Sequence, residues 1–159
     1  MSGKGIDSRL AEVQRRIAQL DNVMLKEGGQ LEKVLKEIVA LRTEQEALLI
    51  VKKVIIDVFA RIVQRTPVDT GRARASWQFG IGVEPVGAVE AGEWQGKIPS
   101  LVAEATQKII AAPATVWFIA NHLDYIEQLE AGWSKQAPAG MVALTLREMS
   151  QHLQKAISL

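Results

Sequence analysis

The chain has 159 residues, enough for one domain with a real core and room for one appendage. Its 19 basic and 18 acidic residues leave a formal charge of +1, which implies no broad basic face for nucleic acid. The absence of cysteine excludes disulfides, cysteine nucleophiles and thiolate metal sites.

Met1 to Gly5 leads into a charged helical pattern rather than an apolar signal core. No apolar run approaches the roughly 20 residues that span a bilayer. The expectation is a protein made and assembled in a cytoplasm, with no membrane partner. From Leu10 the apolar residues fall at Leu10, Val13, Ile17, Leu20 and Met24, then at Leu31, Val34, Ile38, Leu41 and Leu48. That three-four spacing in one heptad phase predicts a coiled-coil-like seam. Gly28-Gly29 interrupts it as either a weak point or a hairpin turn, and the retained phase favours one long kinked helix. Residues 1–45 are accordingly read as an N-terminal helical extension, and residues 46–159 as the core domain.

Between Glu46 and Gln64 the pattern becomes denser, with Val51, Val54, Ile55, Val58, Phe59, Ile62 and Val63, as in a helix packed against something wide. It stops at Thr66-Pro67, because a proline restricts the residue before it and donates no N–H. Asp69 and Thr70 have side-chain oxygens able to bond nearby backbone N–H groups, and Gly71 tolerates the positive φ of a tight corner. From Arg72 to Val83 small and apolar residues alternate with polar ones and glycines, which predicts a strand with one buried face. Glu84 to Gly96 is glycine-rich and reads as a hairpin return or loop, with a short strand near Val86 to Val89.

Pro99 opens a helix carrying Leu101, Val102, Ala105, Ile109 and Ile110, which ends before Pro113. Thr115 to Ala120 is an apolar strand that needs cover on both sides. Tyr125 to Gly132 leads through a loop containing Pro138 to a final helix near Gly140, striped by Val142, Leu146, Met149, Leu153 and Ile157. The sum is an α+β fold, helices packed on a small antiparallel β-sheet and preceded by the coiled-coil-like segment.

His122 and Asp124, with Glu127 and Glu130 nearby, match no metal-ligand spacing and read as structural. Ser134 lacks the second glycine of a nucleophile elbow. Asp69-Thr70-Gly71 lacks the glycine-rich phosphate-loop pattern and its lysine. Trp77 reads as core, whereas Trp94 and Trp133 sit in loops and suit subunit contacts. Trp117 lies on the strand with two apolar sides. Arg72 and Arg74, on the polar strand face, are either solvated or paired with acidic groups of a neighbour.

Two segments, Thr66-Pro67-Val68-Asp69-Thr70-Gly71-Arg72-Ala73-Arg74-Ala75-Ser76-Trp77 and the run from Tyr125 to Met141, resemble the signature segments of a tailed-phage family. This is the family of tail-completion or head-to-tail joining proteins related to the minor tail protein Z group. The features carried over are the Pro-Val-Asp-Thr-Gly corner (Pro67 to Gly71), Ser76 and Trp77, then Tyr125, Glu130, Gly132 and Ser134. The likeness spans roughly Leu48 to Leu159. It implies a structural virion protein and no enzyme: a ring, a hexamer, at the neck or head-proximal end of the tail, with DNA passing through its lumen without sequence-specific binding. The implied partners are further copies, tail terminator or tail tube proteins, and head-completion or connector proteins, with no cofactor.

A strand with two apolar faces, exposed tryptophans and near-neutral charge suit subunits sealed edge to edge. The heptad segment exceeds what the family core requires. As one helix it would reach roughly 60 Å, with neighbouring subunits or an adjacent neck protein as its expected contacts. Two other classes stand beside this reading: a coiled-coil adaptor with a partner-binding α+β domain, and a small hydrolase using Ser134 and His122.

Overall fold

The computed structural model describes residues 3–40, 42–87, 98–113 and 116–157. The described chain is mostly helical, with a two-stranded antiparallel sheet. Its N-terminal part forms α1 (Gly3–Ile17), α2 (Leu20–Val39) and α3 (Glu44–Arg65). The expected single long helix is therefore replaced by three. The breaks fall at Ala18-Gln19, where Gln19 N–H bonds the Arg16 carbonyl at 3.0 Å, and just before α3. Gly28-Gly29 forms neither a hairpin turn nor an interruption, since α2 runs through both. Leu41 lies outside the described residues.

The start of α3 is set by a capping box. Glu46 N–H donates to Thr43 Oγ1, and Thr43 N–H donates to the Glu46 carboxylate at 3.1 Å. Each satisfies a donor that the first helical turn leaves unpaired. The box starts a new helix ahead of Leu48, within the run over which the heptad phase is expected to continue.

The heptad residues of α2 are buried, but not against a second heptad helix. Leu31 and Val34 are covered, and the principal neighbour of α2 is α7 (Val142–Ile157). The predicted stripe of α7 meets them, with Met149 buried and Val142, Leu146 and Leu153 packed around the same core. Heptad spacing specifies an apolar stripe and leaves its partner open. Here that partner is an amphipathic helix of the same chain, so a coiled coil is not the evident architecture. Glu27, also buried, is paired with Arg147 at 3.2 Å on this seam.

The dense face of α3 supplies the centre of the core through Val54, Val58, Phe59, Ile62 and Val63. Against it lies α5 (Ile98–Ala111), whose Ala105 and Ile109 are buried while Ile110 is exposed. Lys52 reaches across and donates to the Ile110 and Ala112 carbonyls at 2.9 and 2.6 Å, capping the negative end of α5.

The expected strand from Arg72 to Val83 is shorter. Its first part is a single helical turn, α4 (Arg72–Ala75), and only Gln78–Ile81 is strand, β1. Alanine and arginine are strong helix formers, and four residues are too few for alternation to be told from a helical turn. Ala73, Ala75 and Trp77 are buried as expected. The partner of β1 is β2 (Trp117–Ala120), in the register Gln78↔Ala120 to Ile81↔Trp117. A hairpin return thus does not supply the second strand. Val86 and Gly87 belong to no strand, and residues 88–97 lie outside the described set. Phe79 meets Phe59 edge to face, with ring centroids 6.0 Å apart, and joins the sheet to the core. A short helix, α6 (Ile126–Glu130), completes the order before α7.

Candidate functional site

The corner begins where α3 ends. Thr66 leaves helical geometry at φ −65° and ψ 126°, as the following proline requires. Fully buried, it donates from Oγ1 to the Ile62 carbonyl and accepts from Trp77 Nε1, both at 2.7 Å. Trp77 is therefore core, and its one polar atom is satisfied by the residue that ends the helix. Arg74 donates to the carbonyls of Gln64 and Thr66 at 2.8 to 3.2 Å. It caps the C-terminal end of α3 rather than standing on a solvated strand face. Gly71, at φ 90°, occupies the left-handed conformation anticipated for the corner and turns the chain into α4. Thr70 Oγ1 lies at the hydrogen-bond limit from Arg72 N–H, 3.5 Å.

The second segment is equally local in origin. Tyr125 precedes α6, and Gly132, at φ 90°, closes it with a Schellman pair: Trp133 N–H to the Gln128 carbonyl and Gly132 N–H to the Leu129 carbonyl, at 3.1 and 3.0 Å. A Cβ at Gly132 would collide with the Pro138 carbonyl and the Arg16 guanidinium. Ser134 then nucleates a turn, its Oγ accepting from Gln136 N–H at 3.2 Å. Buried Glu130 reaches past this turn to the start of α7. Its Oε2 accepts from Met141 and Val142 N–H, each at 2.9 Å, and its Oε1 accepts from Ala143 N–H at 3.0 Å. A carboxylate there complements both the unpaired N–H groups and the helix dipole. Gly140, at φ 81°, has room for no side chain because a Cβ would lie 2.7 Å from Glu130 Oε1.

The two segments meet. The Gln136 side chain forms a reciprocal pair with the Val68 backbone, accepting from its N–H and donating to its carbonyl, both at 3.0 Å. Between them lies a groove of about 260 Å³ bordered by Pro67, Asp69, Thr70, Gly71 and Arg72 on one side, and by Tyr125, Leu129, Trp133, Ser134 and Gln136 on the other. Helix α1 braces the second wall. Arg9 donates to the Trp133 carbonyl and its guanidinium stands 5.6 Å from the ring centre, while Arg16 donates to the Pro138 carbonyl at 3.0 Å.

Eight of the sequence-derived candidates, Pro67, Asp69, Thr70, Gly71, Arg72, Tyr125, Trp133 and Ser134, thus line one groove. Glu130 and Gly132 shape its second wall from behind, and Arg74 and Trp77 secure its first. Trp117 stands apart on β2, half-buried, and Trp94 lies outside the described residues. Gln136, which ties the walls together, and Thr66, which joins α3 to Trp77, carry no pattern that singles them out. Threonine before proline at a helix end and glutamine in a polar turn are common, and only their distant partners reveal what they do.

His122 bonds the Pro85 carbonyl through Nε2 at 2.7 Å, whereas Ser134 Oγ accepts from Gln136 N–H. Among the described residues no group of three or more His, Asp or Glu could hold a metal, and no helix is long and apolar enough to cross a membrane. No protein-family model matches this chain, and no curated protein and no solved structure matches it.

Proposed function

We propose that this chain is a structural virion protein of a tailed phage, forming a ring of about six copies at the neck or head-proximal end of the tail. The ring completes the tail, joins it to the head through terminator or tube proteins on one side and connector proteins on the other, and leaves a lumen for DNA. The observation that carries this reading is that the two signature segments, about fifty residues apart in sequence, form the two walls of one groove. Surface composition supports it as well. Leu25, Leu49, Ile110 and Val116 are each at least 60% exposed, a supply of apolar surface that subunit contacts use.

The reading is tested in a lysate defective in this gene. Filled heads and finished tails that fail to join are expected, with joining restored by the purified protein. Infectious particles at normal yield would overturn it. Electron microscopy of virions, locating the chain and counting copies per ring, checks the stoichiometry.

A further inference from the structure

Helix α1 is joined to the body of the molecule differently from α2. Among its described side chains only Val13 is buried. Neither Val13 nor any other α1 residue belongs to the central apolar cluster, to which α2 contributes Leu31 and Leu35. The principal neighbour of α1 is the short helix α6, and two arginines tie it to the segment that follows α6. Arg9 donates to the Trp133 carbonyl and its guanidinium stands 5.6 Å from the ring centre, while Arg16 donates to the Pro138 carbonyl at 3.0 Å. The Arg16 guanidinium also lies over Gly132, where a Cβ would be 2.5 Å from Nη1.

A segment with few buried apolar contacts opens at a lower free energy than the core. With 15 residues, α1 is also near the length at which an isolated helix is marginal in water. Ala18 and Gln19 separate it from α2. Gln19 stands at φ −105° and ψ −3°, and its side chain does not cap α2. The backbone passes this point through one tight turn, Gln19 N–H to the Arg16 carbonyl at 3.0 Å. A change of torsion confined to these two residues would move α1 and leave α2 seated on α7. The segment under α1 has anchors of its own, Gln136 on Val68 and Glu130 on the start of α7. It therefore keeps its path without α1, whereas the Trp133 ring and the carbonyls of Trp133 and Pro138 lose the guanidinium groups that α1 supplies.

We propose that α1 is a strap. It closes as a unit over Gly132 to Pro138, with Ala18-Gln19 as its hinge, and in closing it fixes Trp133 as a wall of the groove. Opening releases Trp133 and uncovers the surface beneath Val13 while α2, α3, α5 and α7 stay packed. The inference goes beyond the ring reading and does not depend on it.

Hydrogen–deuterium exchange with mass spectrometry on the full-length chain reads the strap. Amides from Ser8 to Ile17 are expected to exchange at one common rate, about 100-fold or more faster than those from Leu31 to Val39, with the step at Ala18-Gln19. Rates that climb gradually toward Gly3 would mean end fraying and overturn the proposal, as would α1 exchanging in step with α2 and α7. A double variant, R9A with R16A, removes both guanidinium groups and leaves Val13 in place. Its α1 amides should exchange about 10-fold faster or more, the change expected from losing a hydrogen bond to a charged group. Exchange in α2 and α7 and the thermal midpoint should stay at wild-type values. A lowered midpoint with faster exchange in α2 and α7 would show that α1 belongs to the cooperative core and overturn the strap. Hydroxyl-radical footprinting checks the groove wall: labelling of Trp133 should rise in the double variant, and labelling of buried Trp77 should not. Unchanged labelling of Trp133 would overturn the hold of α1 on the groove.

Discussion

Glu130 offers the sharpest test of how this chain holds its last helix. Its two oxygens accept three backbone N–H groups at the start of α7, and Met141 and Ala143 are buried there. Glu130→Ala leaves those donors without their acceptor. Each hydrogen bond to a charged group contributes about 1.5–3 kcal/mol net, and the dipole interaction adds up to ~2 kcal/mol in partly buried geometry. These terms overlap, and water entering the vacated space would recover part of the loss. The working figure is therefore ~3–5 kcal/mol, a large share of the roughly 5–15 kcal/mol typical of a domain. Glu130→Gln keeps one acceptor oxygen and turns an amide NH₂ toward the remaining N–H, so a smaller loss, ~2 kcal/mol, is expected. Urea unfolding followed by circular dichroism measures both, with exposed Glu127→Ala as the control, expected within about 0.5 kcal/mol of wild type. At about 2–4 °C per kcal/mol for a chain of this size, Glu130→Ala should lower the thermal midpoint by roughly 10 °C. A Glu130→Ala variant within about 0.5 kcal/mol of wild type would refute the capping argument, and Gln more damaging than Ala would refute its charge-acceptor basis.

Three further outcomes are expected. Gly28→Ala should stabilise by about 0.5–1 kcal/mol in the same unfolding assay, because the position is inside α2 with no atom within 4 Å of an added Cβ; destabilisation would show that the helix needs flexibility there. Trp77→Phe should lose ~1–2 kcal/mol, since it strands buried Thr66 Oγ1 without its indole donor, and adding Thr66→Val to the Trp77→Phe variant should then cost little more. Deleting residues 3–40 should abolish cooperative unfolding and expose dye-binding apolar surface, because Leu31 belongs to the same buried cluster as Val58 and Met149; a deleted chain that unfolds cooperatively would mean α1 and α2 are an appendage after all.

Some of this architecture is written in local chemistry. Pro67 disfavours helical geometry at Thr66, which is extended here, and Gly71 sits at the positive φ that a corner needs. The stripe of α7 is legible because a sixteen-residue helix repeats its period several times. The capping box Thr43-x-x-Glu46 is also local and marks the start of α3, a signal that outranks the heptad phase running across it. The α4 turn is illegible for the opposite reason, since its four residues are shorter than any period that could identify them.

What the amino-acid order determined on its own are the features that depend on neighbours a few residues apart: where α3 stops, the bend at Gly71 and the amphipathic faces. What only the tertiary structure decided are the pairings across long separations. These are α2 against α7, β1 against β2 across the length of α5, Gln136 on Val68, and the contrast between Arg74, bonded to the end of α3, and Arg72, whose Nε has no acceptor among the described residues. An apolar stripe or a lone donor specifies that something must cover it, and burial is non-directional. Which partner does so is fixed by the geometry of the whole chain.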